Sequence, residues 1–415
     1  MKVLARIRGA LGDPWLAILV LGLALFGVAM IYSAGVLDTP RLAIRGLWQR
    51  QLLWLGIGSV MAVIIMWRVQ LRWVEWAAWP FYILTIGMLV AALFIGTGYG
   101  TGQATRRWLD LGPLLLQPAQ FANLAAVILL ARIVGGWRAP PQSVFDLWLP
   151  ITLVVVPMAL VVVQPDLGTA LVFIVVLLAA LFWGGTPYGV LFMLVSPAIG
   201  LLLAFEPLIF SVYMFGLIGF LLLYRPALRD TVFVLATNLA AGTIAIPLWE
   251  SLAPYQRNRL LVFLDPAMDP QGAGYQLIQS QVAIGAGGLT GQGFTLGTQK
   301  RLDFLPEQHT DFIFSVIGEE LGFVGTTAVL LVLGAIFLRI TRIAERTPDP
   351  FAGVLAFGIL AVWFTHSVVN IGMTVGVMPI TGIPLPFLSY GGSFLLVTML
   401  AFAMVQRAAL EYGKR

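Results

Sequence analysis

Long apolar runs, recurring from near the first residue to near the last, limit this chain more than any other feature it has. A helix crosses bilayer hydrocarbon with about 20 mostly apolar residues, because every backbone polar group must then be satisfied within the segment. By that measure spans are expected near 15–34, 48–67, 76–96, 119–134, 146–163 and 168–184. A second set is expected near 188–205, 208–224, 231–249, 312–338, 352–378 and 387–407. The two that meet at Glu206-Pro207 can also be read as one broken hairpin. The fold class is an all-α polytopic membrane protein, with 1–415 as a single transmembrane unit.

Composition agrees. Of the 415 residues, 60% are hydrophobic and 10% are charged, where a soluble chain has roughly 25% charged residues. There is no cysteine, which excludes disulfides, thiolate metal sites and a cysteine nucleophile. The net charge of +5 reads as loop anchoring rather than nucleic-acid binding. Apolar Leu16 to Ile31 is taken as a retained first span, not a signal peptide, because further spans follow. Threading the spans from a cytoplasmic N-terminus puts 15 of the 24 basic residues inside and 9 outside, so both termini are expected in the cytoplasm. The 250–311 loop then faces outward, away from ATP. Its chemistry must use an activated substrate delivered through the membrane.

Four outward segments stand out. The first, 97–120, is glycine-rich and offers Arg106 and Arg107 for anions and Trp108 as a flat apolar face. Between two spans, Gln164-Pro-Asp-Leu-Gly-Thr lets Asp166 cap the incoming helix. The 250–311 loop is far longer than a plain helix connection and too apolar to be disordered. It holds Arg257 and Arg259, an amphipathic helix through Gln281, and a glycine-rich stretch 285–297 suited to folding close against a ligand. A proline-rich turn, 378–393, carries Ser389.

The loop ends in a knot of charge: Asp303, Glu307, His309 and Asp311, followed by Glu319 and Glu320 inside an apolar run. A carboxylate at the edge of hydrocarbon is costly and marks a functional site. Asp311, Ser315 and Glu319, four residues apart, are expected on one helix face. The ordinary alternative is that Thr310 or Asp311 caps the next helix. His309 and His366 lie in separate elements, which argues against a histidine metal site, and His366 with Asn370 reads as a packed polar pair.

Four stretches, PEQHTDFIFSVIGEELGFVG (306–325), QPDLGT (164–169), LDPAMDPQGAGYQLIQSQ (264–281) and NIGMTVGVMPITGIPLPFLSYGGS (370–393), resemble the SEDS family (shape, elongation, division and sporulation). The phrases GTQKRLDFLPEQHTDFIF and GIPLPFLSYGGS are closer to its rod-shape branch than to its division branch. The resemblance covers roughly 15–183 and 250–407. It implies a peptidoglycan glycosyltransferase that polymerises lipid II beside a class B penicillin-binding protein, with Mg²⁺ or Mn²⁺ as divalent cation. It also implies Asp311 as the essential acidic residue. Glycosyl transfer from a pyrophosphate needs a base for the acceptor hydroxyl and positive charge for the leaving diphosphate. Asp311 suits the first task, and Arg106, Arg107, Arg257 and Arg259 the second. Trp108, Gln164, Asp166, Gln281, Glu307, His309 and Ser389 complete the expected substrate-binding set.

The sequence departs from the family in two places. Gln120 and Asn123 stand where relatives carry Glu and Lys, and a hydrogen bond between the two amides is expected. Gln281 stands where some relatives carry lysine. Relatives have ten helices, so 188–249 is read as holding an extra two-helix insertion, an even number that keeps the loop on its side. The rival functions are a flippase for the same lipid precursor, which calls for inverted repeats and midplane polar residues, and a non-enzymatic scaffold, which has no use for Asp311.

Overall fold

The computed structural model describes residues 12–39, 44–98, 106–110, 112, 115–252, 254–269 and 272–412. The glycines of 99–105 and the terminal basic residues lie outside them. Each of the twelve apolar segments is helical: α1 Pro14–Ala34, α2 Leu47–Arg68, and, after the short α3 Leu71–Trp76, α4 Ala78–Ile95 and α5 Pro118–Gly135. There follow α6 Trp148–Val163, α7 Leu167–Trp183, α8 Tyr188–Leu203, α9 Pro207–Tyr224 and α10 Leu228–Ser251. The long loop folds into α11 Pro254–Leu264, α12 Ala273–Gly287 and α13 Thr298–Arg301. Then come α14 Ile313–Arg346, α15 Pro350–Val375 and α16 Gly392–Tyr412. Among the described residues, ten helices are long and apolar enough to cross a membrane, α6 counted with the helical turn Val144–Leu147 that leads into it, while α7 and α8 have 17 and 16 residues. The only sheet among the described residues is a two-stranded ladder, β1 Leu109–Asp110 against β2 Leu115–Leu116.

Helix starts follow local chemistry. Asp13, Asp166 and Asp349 each accept a backbone N–H of the first turn, and Pro14 and Pro350 occupy first positions where no N–H is needed. The centre of the bundle is α5, α15 and α16, whose most apolar windows are 78%, 72% and 78% buried. In α9 that share is 11%, so it lies at the periphery. Helices α8–α10 pack mainly on one another, around Asn238, whose amide donates to Ser196 Oγ (2.9 Å) and accepts from Tyr213 Oη (3.0 Å). Asp230 pins this unit to the bundle by accepting from Ser143 Oγ (2.6 Å) and Val144 N (3.0 Å).

The glycine-rich stretch does not wait for a ligand. Helix α14 breaks at Gly322 (φ 64°, ψ −159°), and 288–293 inserts there. Gln292 N and Gly293 N donate to the Glu319 and Glu320 carbonyls (2.9 and 3.0 Å). Phe323 N and Val324 N donate to the Gly288 and Leu289 carbonyls (2.9 and 3.1 Å). Glycine is required for the approach: a Cβ on Gly291 would lie 2.0 Å from the Glu320 carbonyl oxygen. The close approach expected of these glycines is made at Gly287 and Gly291 by the backbone of α14, whereas a Cβ on Gly285 or Gly288 would meet nothing within 4 Å.

Candidate functional site

Asp311 lies in the turn before α14, because the helix begins at Ile313. The expected common face with Ser315 and Glu319 is therefore not formed, nor does a side chain cap the helix. Ser315 is buried against Ser280 (Oγ···Oγ 2.6 Å), and Glu319 accepts from Gln299 N (2.6 Å), holding the start of α13.

The turn is built from backbone. Glu307, at φ +51°, turns its carbonyl to accept from Thr310 N, Asp311 N and Phe312 N at 3.1, 3.0 and 3.3 Å. Three successive carbonyls are then taken up from the far end of the chain. His309 O accepts from Tyr390 N (2.9 Å), Thr310 O from Ser389 Oγ (2.5 Å), and Asp311 O from Asn370 Nδ2 (2.9 Å). Asn370 Nδ2 also donates to Ile383 O (2.7 Å), and Ser389 Oγ accepts from Leu385 N (2.8 Å). Asn370 is thus no partner of His366, whose Nδ1 lies 3.0 Å from the Pro384 carbonyl. With its main chain clamped, Asp311 turns its carboxylate to Gly382, where a Cβ would come within 3.2 Å of Oδ2 at φ +72°.

Burial raises the Asp311 carboxyl to about 7. Glu307 and Asp166 add to the rise, while a hydrogen bond from Thr310 and the charge of Arg259 oppose it. The group is half in each form near neutral pH, as a general base requires. Burial lowers the His309 imidazole, against the pull of Glu307 and Asp303, so His309 is neutral near pH 7. Its Nε2 is 4.0 Å from Glu307 and its ring centroid 5.9 Å from that of Tyr390.

The turn at 164–168 packs on the loop that faces Asp311: a Cβ on Gly168 would lie 3.0 Å from the Thr381 carbonyl oxygen. Arg107 Nε donates to Gln164 O (3.0 Å) and its Nη2 to Pro165 O, while Gln164 Nε2 donates to Leu89 O (3.0 Å). Asp166 accepts from Thr169 N (3.1 Å) and Gln117 Nε2 (3.2 Å). Glu307, Asp166 and Arg259 are thus gathered electrostatically around Asp311, with Arg107 holding the turn that bears Asp166.

Other residues of the set are tied to other segments. Arg106 Nη1 donates to Leu93 O (3.0 Å), Arg257 to Glu250 O, and Gln281 Nε2 to Val375 O (3.2 Å). Trp108 pairs through its main chain with Thr97. The expected Gln120–Asn123 bond is absent: Gln120 Nε2 reaches Gln117 Oε1 at 3.4 Å, and neither amide atom of the buried Asn123 has a partner. The i, i+3 spacing brought the two side chains to one face without aligning donor to acceptor. Among the described residues, no three of His, Cys, Asp and Glu gather as a metal set. Sequence reasoning missed Gln51, which accepts from Gly391 N (3.1 Å) and donates to Ser389 O (3.1 Å), because the signal is one amide in an apolar helix.

Comparison with known proteins adds an independent line. The family described as cell cycle protein, FtsW/RodA/SpoVE, matches residues 14–214 and 197–413. The chain is 35% identical over 393 residues to the peptidoglycan glycosyltransferase MrdB of Escherichia coli K12, covering 95% of this chain and 92% of that one. To the peptidoglycan glycosyltransferase RodA of Treponema pallidum it is 33% identical over 437 residues, covering 96% and 98%. One solved chain, from a peptidoglycan synthase complex described as coordinating polymerization and crosslinking, superposes with a TM-score of 0.66 at 30% identity, covering 96% and 97%. The rod shape determining protein RodA of Thermus thermophilus superposes with a TM-score of 0.61 at 25% identity, covering 96% of each chain.

Proposed function

The chain belongs to the FtsW/RodA/SpoVE family, and from that premise we propose how it acts: as a peptidoglycan glycosyltransferase that polymerises lipid II into glycan strands during cell elongation, beside a class B penicillin-binding protein. The observation that carries the reading is the Asp311 carboxylate, clamped by its main chain, raised to about 7 and set near Arg259. In the step we assign to it, Asp311 takes the proton from the acceptor sugar hydroxyl. The oxygen bonds to the anomeric carbon of the donor, and the bond from that carbon to the lipid diphosphate breaks. Arg259 and the remaining N–H groups of Arg107 meet the charge that develops on the diphosphate. The half-exposed Glu307 carboxylate would hold Mg²⁺ or Mn²⁺, which take one or two carboxylates with substrate phosphate and water, and would leave Asp311 free to act as the base. Such an ion would add charge stabilisation to the leaving group.

The distribution of basic residues supports a cytoplasmic membrane protein with both termini inside and the Asp311 end outside. On that reading a topology reporter at Arg225–Asp230 labels from the cytoplasm, and labelling from outside would remove the twelve-span count. The test of activity is lipid II incubated with the purified chain, its transpeptidase partner and a divalent cation, with glycan strands expected. Lipid II crossing a vesicle without polymerising would favour the flippase.

The rate is expected to rise with pH through a midpoint near 7, as Asp311 loses its proton. Stability moves the other way. The folded value lies above the unfolded 3.8, so the stabilisation present below that pH is lost as pH rises to about 7. A rate profile flat from pH 5 to about 9 would remove Asp311 as the base.

A further inference from the structure

At the foot of the segment that carries Asp311 lies a second group of charges, with no exposure to solvent. Lys300 is 0% exposed, and its Nζ donates to the Ser33 carbonyl (2.6 Å) and Ser33 Oγ (2.7 Å), and pairs with Glu320 Oε1. Ser33 Oγ lies 2.6 Å from both carboxylate oxygens of Glu320. Three distant parts of the chain meet there: the end of α1, the first half of α14, and α13. Beside it Glu319 accepts from Thr298 Oγ1 (3.3 Å), Gln299 N (2.6 Å) and Lys300 N (3.3 Å). Gly297 leaves the room, since a Cβ there would lie 2.6 Å from Glu319 Oε2. The other end of the segment returns to the same place: Gln308 Nε2 donates to Ala34 O (2.9 Å) and Lys300 O (3.4 Å).

An ammonium and a carboxylate removed from water are costly, and an apolar pair of similar volume is often as stable or more so. Stability alone therefore does not account for a charged pair here. We propose that the buried Lys300–Glu320 pair, seated on Ser33, is a positioning element that fixes the 300–311 segment to α1 and α14 and so holds Asp311 in its seat. The geometry fits: Lys300 grips Ser33 through its side chain and Gln308 through its carbonyl, three residues before Asp311.

The inference rests on Asp311 being the base, so its test needs a readout that does not. The chain has no cysteine, and Leu305, midway along the segment, is 1% exposed. In a Leu305→Cys background, the rate of maleimide labelling reports release of the segment. Lys300→Met or Glu320→Leu alone strands a buried charge and can unfold the chain, whereas the double variant Lys300→Met/Glu320→Leu removes both charges together. The folded double variant is expected to label at least about tenfold faster. Its kcat for lipid II polymerisation should fall with KM unchanged, and the midpoint of the rate profile should drop from about 7 toward the ordinary carboxylate range. Labelling as slow as in the Leu305→Cys parent overturns the proposal, and so does faster labelling with kcat and midpoint unchanged. Full activity of Asp311→Asn would instead overturn the base assignment and leave the labelling result standing.

Discussion

Asp311→Asn is expected to lower lipid II polymerisation by at least about 100-fold, the lower end of what a positioned base contributes. Its fold and its binding to the transpeptidase should stay intact. The seat explains why the two effects separate. Tyr390, Ser389 and Asn370 hold the segment by the main-chain carbonyls of His309, Thr310 and Asp311. Asparagine keeps the volume that fits beside Gly382, so the clamp has nothing to readjust. What is lost is the oxygen that takes the proton, and with it the titration near 7. The comparison is polymerisation by the two purified proteins, each with its partner, with thermal unfolding of both as the control. Turnover within a few-fold of the parent would leave the carboxylate without a catalytic part.

The second large effect falls on stability and lies in the loop. Gly291→Ala is expected to cost at least about 3 kcal/mol, enough to remove most folded protein from detergent extracts. A Cβ there would meet the Glu320 carbonyl oxygen at 2.0 Å, its carbon at 2.3 Å and Leu321 N at 2.5 Å, all backbone atoms that cannot turn aside. Its φ of +81° is unfavourable for alanine besides. Moving the loop away strips donors from two buried carbonyls, and each orphaned group costs about 1–3 kcal/mol. Gly285→Ala is the control, because its Cβ would meet nothing within 4 Å. Equal melting temperatures for the two variants would refute the account of the loop.

Most of the helical architecture was legible in the sequence, because a hydrocarbon span leaves a compositional mark that no local rule can mask. Asp311 was legible for a related reason: a carboxylate at an apolar boundary is conspicuous. Its surroundings were harder. Asp166 was read as the cap of the incoming helix and caps α7, whereas Ser389 was singled out for substrate and instead holds the Thr310 carbonyl, a task not written in residue type. Asn370 was noticed and given the wrong partner, since one helical turn from His366 is a weaker constraint than two carbonyls arriving from distant loops. The glycines of 285–297 were read correctly as marking a close approach. What approaches them, the backbone of a helix that follows in the chain, depends on a kink that Gly322 alone does not announce.

That kink has a mechanical consequence. A glycine break in a long helix is commonly a place where two halves swing. In α14 the bonds that Glu319 and Glu320 would have made with Phe323 and Val324 are not lost but rerouted through 288–293. The break is a splice, and bending it would tear four hydrogen bonds at once. Asp311 therefore rides on a stiff post. Whatever yields as a growing strand advances by one disaccharide must be sought away from this splice, and α11, whose main packing partners are 266–268 and α12, carries Arg257 and Arg259.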